Sequence, residues 1–235
     1  MPPQLLVACD FDGTLTRQDT LVEILNRFGH SRWAEIQERV VAGEISIREG
    51  LQSEMGSVRA TSEELQGLLS SRIQLDPTFP AFLQGMRRKG VPVVVLTGGF
   101  DFCVETVLRA AGLWPIPFLA NRLIYKGTVH QGDAPLSGVS PCGLSPTWLV
   151  DFPYPSARCE ACGHCKGDPI RDWVSRGYTT VFVGNGVTDR CAAQAAALTF
   201  AKDELYPWCK NQGIPAVDFQ TFDDVQRELE RREWV

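Results

Sequence analysis

The segment that most restricts this chain is a short apolar run, Leu5-Leu6-Val7-Ala8-Cys9, that breaks into Asp10-Phe11-Asp12-Gly13-Thr14. An apolar run this short, bounded by Asp and Gly, predicts a buried strand over residues 4 to 9. Two carboxylates two residues apart on a strand-to-loop turn can face one site. They repel each other unless a cation or a shared proton compensates. Read alone, the same residues also describe an ordinary Asp-Gly turn.

After this strand the periodicity becomes helical from about 19 to 75. Thr20 with Glu23 predicts a capping box, followed by Leu21, Ile24, Leu25 and Phe28 on one face. Trp33, Ile36 and Val40 mark a second helix. Ser46 with Glu49 opens a third, carrying Ile47, Leu51, Met55 and Val58, and Thr61 with Glu64 opens a fourth. Asp76-Pro77 ends the pattern. Strands and helices then alternate: a helix near 79–89, a Val-rich strand at 91–96, and a helix from Phe100 to Ala111. A helix start at Asp168-Pro169, a strand at 179–183, a helix from about 189 and short strands near 198 and 215 follow. The stretch from about 128 to 160, rich in Pro, Gly and Ser, reads as an irregular excursion. Alternation of this kind predicts an α/β fold, a Rossmann-like parallel sheet with helices on both faces. The expected division is a core of residues 1–16 and 76–235 and a small helical cap of residues 17–75 inserted after the first strand.

Ligands of open α/β sheets bind beyond the carboxyl ends of the strands, and the unusual polar residues cluster there. Thr97-Gly98-Gly99 ends the second strand and offers a hydroxyl and backbone N–H groups to an anion, or simply caps a helix. Gly184-Asn185-Gly186-Val187-Thr188-Asp189 offers two oxygen ligands four residues apart, suited to a hard cation. Lys166 could place a positive charge beside a phosphate, although a lone Lys is ordinarily a surface residue.

In this order the four segments resemble the motifs of the haloacid dehalogenase superfamily of phosphatases. The resemblance implies that Asp10 attacks phosphorus and that Asp12 acts as acid and base. It implies that Mg²⁺ is held by Asp10, the Asp12 backbone carbonyl, Asn185 and Asp189. Asp10, Thr97, Gly98 and Lys166 would hold the phosphoryl group. Asn185 stands where the family usually carries Asp, so one negative charge is missing and metal affinity should fall. That departure also supports a competing reading of another class, a non-catalytic sensor of a phosphate ligand or metal. Retention of Asp10, Asp12, Thr97, Lys166 and Asp189 argues against it, because a sensor needs neither a nucleophile nor an acid.

The helical insertion, Thr97-Gly98-Gly99-Phe100-Asp101 and Ala120-Asn121-Arg122-Leu123 resemble the phosphoserine-phosphatase-like branch. Phosphoserine phosphatase itself fits less well, since Glu54 aligns with its carboxylate-gripping cap Arg and Asp19 with its cap Glu. Gly43 to Gly50, the Cys-rich lead into Lys166 and the tail from Phe200 to Leu205 resemble more closely the methionine-salvage family. That family hydrolyses 2-hydroxy-3-keto-5-methylthiopentenyl-1-phosphate. Phosphoserine, phosphocholine and phosphoethanolamine remain alternative substrates. Asp19 and Arg48 are candidate substrate contacts, and Trp33 and Met55 could line a pocket for a methylthio group or simply pack the cap.

The remaining feature is Cys159-x-x-Cys162-x-x-Cys165, with His164 inside it and Cys142 upstream. Either these thiols hold a structural Zn²⁺ or they are reduced thiols in a tight loop. With 235 residues the chain exceeds a disulfide scaffold, and its start has neither a basic segment nor an Ala-x-Ala site. Its net charge of -5 without a basic run argues against nucleic acid, and no apolar stretch is long enough for a membrane span. The expectation is a cytoplasmic enzyme acting on a small phosphorylated metabolite, and a homodimer is compatible with it.

Overall fold

The computed structural model describes residues 4–127, 148–159 and 162–235. β1 (Gln4–Cys9) lies at the centre of a seven-stranded sheet ordered β4-β3-β2-β1-β5-β6-β7. Its partners β2 (Val93–Phe100) and β5 (Tyr178–Gly184) are both parallel to it. β3 (Phe118–Tyr125) extends the sheet beyond β2, and β6 (Leu198–Ala201) and β7 (Ala216–Asp218) extend it beyond β5, all parallel. Only β4 (Trp148–Asp151) runs antiparallel, against β3. Leu5 to Cys9 are all buried, because a central strand covered on both faces has no solvent side. Leu5, Val7 and Cys9 feed one apolar cluster and Leu6 and Ala8 the other, as the two-residue period of a strand requires.

Between β1 and β2 the chain makes α1 (Thr20–Phe28), α2 (Trp33–Val41), α3 (Ile47–Ser57), α4 (Ser62–Arg72) and then α5 (Phe79–Arg88). The first four form a helical insertion after β1. Its two ends meet at an antiparallel bridge between Thr16 and Leu75, reinforced by hydrogen bonds from Arg17 N to Gln74 O and from Asp76 N to Leu15 O, each 2.8 Å. The capping boxes of α3 and α4 form as expected, with Ser46 and Thr61 each accepting from the amide three residues on, Glu49 and Glu64 respectively. The one expected for α1 does not: Asp19 is the cap and accepts from Val22 N, which moves Thr20 into the first turn. An Asp carboxylate one residue upstream competes successfully with a Thr hydroxyl for the orphan amides. Trp148 in β4 is buried and donates through its indole N–H to Ala60 O at 3.0 Å, joining the sheet edge to the insertion.

The remaining helices are α6 (Asp101–Ala110), α7 (Gly167–Ser175), α8 (Arg190–Ala195), α9 (Leu205–Asn211) and α10 (Phe222–Arg231). α7 starts earlier than the Asp168-Pro169 signal indicates, with Lys166 at its N-cap and Pro169 within its first turn. A proline there removes an amide that has no intrahelical partner anyway. β3, β4, α9 and α10 have no counterpart in the sequence reading. β4 falls at the end of the stretch expected to be irregular, most of which lies outside the described residues. Among the described residues no helix is long and apolar enough to cross a membrane.

Candidate active site

The sheet register brings the motifs together. Cys9 is level with Val95 of β2 and Val183 of β5, so Asp10, Thr97 and the loop after Gly184 emerge side by side. Chain connections leave β1 and its neighbours toward opposite sheet edges here, which opens a crevice at the strand ends. Asp10 continues the ladder through its amide, which donates to Val183 O at 2.8 Å.

The centre is a buried three-membered ion cluster. Lys166 Nζ donates to Asp10 Oδ1 at 2.5 Å and to Asp189 Oδ1 at 2.7 Å. Lys166 is 2% exposed, Asp10 4% and Asp189 0%. A lysine this deep keeps its charge only through such partners. Burial alone would lower its pKa, but the two carboxylates outweigh burial and hold it above its ordinary value. The second oxygen of Asp189 accepts from the amides of Asn185 and Gly186 at 2.9 and 3.0 Å. Asp189 therefore fixes both the lysine and the loop.

Burial, then the charge of Asp189, push Asp10 up to about 7, although Lys166 opposes them. Burial, then Asp19, push Asp12 up to about 8, so it holds a proton at neutral pH. Asp12 Oδ1 accepts from Thr20 N at 2.8 Å, so the first turn of the insertion orients this carboxyl. Its other oxygen faces Gly99, where an added Cβ would lie 2.9 Å away.

Thr97 is 1% exposed. Its hydroxyl accepts from Gly99 N at 2.9 Å, which leaves the hydroxyl proton to donate. The turn is pinned by Asn121, whose Nδ2 donates to Gly98 O at 2.8 Å. On the other side His164 Nδ1 lies 3.2 Å from Thr97 O. A carbonyl only accepts, so that ring nitrogen carries the proton. Burial above all lowers the His164 pKa to about 4, which leaves the ring neutral.

Asn185 Oδ1 lies 3.1 Å from the Thr14 hydroxyl, and its Nδ2 donates to Asp203 Oδ2 at 3.4 Å. The loop of Gly13 has to approach it closely. Gly13 has φ +74°, and a Cβ there would stand 2.5 Å from Asn185 Nδ2. Beside this loop an open polar cleft of about 480 Å³ is lined by Asp12, Gly13, Arg17, Asp19, Asn185, Lys202, Asp203 and Gln220. Arg17 and Lys202, two cations at the cleft, were not singled out from the sequence as site residues. Their signal was position, since Arg17 follows the first motif and Lys202 follows β6.

The other sequence candidates fall elsewhere. Met55 is 0% exposed and belongs to the main apolar core. Trp33 is half-buried against the same core, on a helix with no fully buried residue. The Arg48 guanidinium sits over the Phe152 ring at 5.0 Å. Cys142 lies outside the described residues. Sulfur atoms of Cys159 and Cys162 instead approach that of Cys191, a residue the sequence motif did not contain.

A parallel sheet whose switch point carries a buried carboxylate, a lysine bridging it to a second acid, and a separately held carboxylic acid defines a hydrolase of the phosphoryl-transfer kind. The chain belongs to the haloacid dehalogenase-like hydrolases, whose family model matches residues 7–143. It is a phosphatase of that family. It is 27% identical to the 2-hydroxy-3-keto-5-methylthiopentenyl-1-phosphate phosphatase of Bacillus pumilus, over 97% of this chain and 94% of that one. It is 30% identical to the protein of the same name from an Exiguobacterium species, over 93% and 94%. Among solved structures, a phospho-aspartyl intermediate analogue of phosphoserine phosphatase superposes with a TM-score of 0.67 at 20% identity. That match covers 96% of this chain and 99% of the other.

Proposed function

We propose that this phosphatase is a Mg²⁺-dependent enzyme of methionine salvage that hydrolyses 2-hydroxy-3-keto-5-methylthiopentenyl-1-phosphate through an aspartyl-phosphate. The observation that carries the chemistry is the buried Asp10–Lys166–Asp189 cluster. The substrate assignment is supported by the names of the full-length relatives. Asp10 Oδ attacks phosphorus, a P–O bond forms, the bond to the leaving oxygen breaks, and Asp12 gives that oxygen its proton. Asp12, now anionic, takes a proton from water as the water oxygen attacks phosphorus. Phosphate leaves, and the Asp10 carboxylate and the Asp12 acid are restored. Lys166 and the Thr97 hydroxyl hold the phosphoryl oxygens while charge redistributes.

The residues fit a hard cation. Asp10, Asp12, Asn185 and Asp189 offer only oxygen donors, and the Asp10 and Asp189 carboxylates share a single buried lysine while Asp12 has none. Bound there, Mg²⁺ would neutralise charge on the phosphate and on Asp10. The Asp10 carboxylate, the Asp12 carbonyl and Asn185 Oδ1 would hold it. Asp189 is occupied by Lys166 and two amides, which gives it mainly an orienting role.

A second reading rests on Glu54. It is 3% exposed, one carboxyl oxygen has no partner, and its pKa is raised to about 7, chiefly by burial. Asp19 also acts on it. An acidic pair of this kind suits a phosphomonoester with a cationic leaving group, such as phosphocholine or phosphoethanolamine. Phosphate release should be measured with and without Mg²⁺ on the methionine-salvage enol phosphate, phosphoserine, phosphocholine, phosphoethanolamine and an aryl phosphate. Metal-dependent release with preference for the enol phosphate is the expected result. Preference for the amino-alcohol esters would replace the substrate assignment, and release indifferent to Mg²⁺ would refute the metal dependence.

A further inference from the structure

Among the described residues, the cysteine-rich segment before Lys166 is the largest metal-ligating group that the phosphatase reaction leaves unused. The fold adds a member to it from a distant element. The sulfurs of Cys159, Cys162 and Cys191 all lie within 4.8 Å of one another. Cys191 is in α8, and its thiol makes hydrogen-bond contacts with those of Cys159 and Cys165. Four thiols from two segments thus converge, in the pattern Cys-x-x-Cys-x-x-Cys and one remote Cys.

We propose that Cys159, Cys162, Cys165 and Cys191 form a tetrahedral Zn²⁺ site that clamps the Lys166 loop to the start of α8. Zinc binds thiolates at about 2.3 Å, so the edge of its sulfur tetrahedron is roughly 3.8 Å. Three sulfurs already within 4.8 Å need only a small contraction to reach that edge. A disulfide, at about 2.05 Å, would join only two of them. The ligand set also answers the sequence motif, in which the shared middle cysteine prevents two separate Cys-x-x-Cys pairs.

Two neighbouring features support the site. At Gly167, the first residue of α7, an added Cβ would lie 2.6 Å from the Cys191 carbonyl oxygen. The missing side chain is what permits the two segments to approach. Arg171 Nη2 lies 3.9 Å from Cys165 Sγ. A zinc ion with four thiolates carries two net negative charges, and a guanidinium beside it offsets part of them.

The site lies next to the reaction centre. Cys165 precedes Lys166, and His164 within the loop contacts Thr97 O. Cys191 follows Asp189 by two residues, so the clamp spans both partners of the lysine–carboxylate contact. Zinc here would position Lys166 without touching substrate.

The test is metal analysis of the full chain, independent of turnover. Protein purified under reducing conditions and dialysed against chelator-free buffer should carry about one zinc per chain. Zinc-depleted protein should take up one equivalent from added ZnCl₂. Cys191→Ser should weaken zinc binding at least about tenfold, whereas Cys191→His, which preserves a tetrahedral donor set, should retain it. Cys209→Ser, outside the cluster, should keep its zinc and shows that cysteine loss alone is not the cause. Failure of the wild-type chain to bind zinc in either preparation would overturn the proposal. So would iron with visible absorption near 400 nm, or unchanged zinc affinity in a folded Cys191→Ser.

Discussion

Replacing Asn185 by Asp should make the protein less stable without metal and more avid for it. The side-chain nitrogen lost in Asn185→Asp donates to Asp203 Oδ2 at 3.4 Å. A carboxylate oxygen in its place would put two negative charges at about that distance. Coulomb's law gives about 1.2 kcal/mol at the dielectric of water and about 5 kcal/mol at an effective value near 20. Asp203 is exposed and the cleft is open, so the lower end applies, about 1–2 kcal/mol. For a chain this long that is a fall in Tm of roughly 2–8 °C in EDTA. The hydrogen bond to Asp203 is lost as well, with the same sign. A divalent cation attracts the added charge twice as strongly as one neighbouring carboxylate repels it at equal distance. The Mg²⁺ concentration giving half-maximal phosphate release should therefore drop about tenfold, worth about 1.4 kcal/mol. Thermal melts in EDTA and in excess MgCl₂, paired with a Mg²⁺ titration of phosphate release, measure both effects. Unchanged melting in EDTA together with an unchanged Mg²⁺ requirement would refute the placement of Asn185 among the metal donors.

Three further outcomes follow from the same geometry. Lys166→Met should abolish phosphate release and cost roughly 3–5 kcal/mol of stability in a denaturant titration, because it leaves Asp10 and Asp189 buried and uncompensated. Gly13→Ala should destabilise by at least about 1 kcal/mol and depress turnover, since φ +74° and the 2.5 Å approach to Asn185 both exclude a Cβ; a wild-type melt would contradict this. Glu54, raised from 4.5 to about 7 by burial, binds more protons folded than unfolded between those values, so its contribution is lost as pH rises through about 7. Glu54→Gln should then stabilise the metal-free protein at pH 8 by on the order of 2 kcal/mol, after discounting for partial solvation, and change it little at pH 4. Equal melting shifts at both pH values would exclude Glu54 as the source.

The chemistry of the site was legible in the chain because it is written in short local runs. Apolar Leu5 to Cys9 predicts a buried strand. A Gly at 13 predicts the turn that brings Asp10 and Asp12 to its end, and Ser46 and Thr61 with their partner glutamates predict the starts of α3 and α4. Each of these signals involves residues within one strand, turn or helical turn of one another. Local signals also failed where two competed. At α1, Asp19 displaced Thr20 as the cap, and at α7 the backbone entered the helix before Asp168. β3 and β4 lack the continuous apolar run of a central strand: Phe118 to Tyr125, next to the sheet edge, is interrupted by Asn121 and Arg122 and only partly buried.

What only the tertiary structure decided is which distant segments meet. Met55 carries the same helical spacing whether it faces a pocket or the core, and packing placed it in the core. Arg48 found the ring of Phe152, more than a hundred positions away. Glu54 became a buried acid through the folding of the insertion over it. Cys191 joined Cys159 and Cys162 because α8 packs against the loop that leads into α7. Periodicity, capping and turn chemistry are properties of neighbouring residues, so a sequence carries them openly. Convergence of remote side chains depends on strand order, register and the close approach of backbones, which exist only once the sheet has formed.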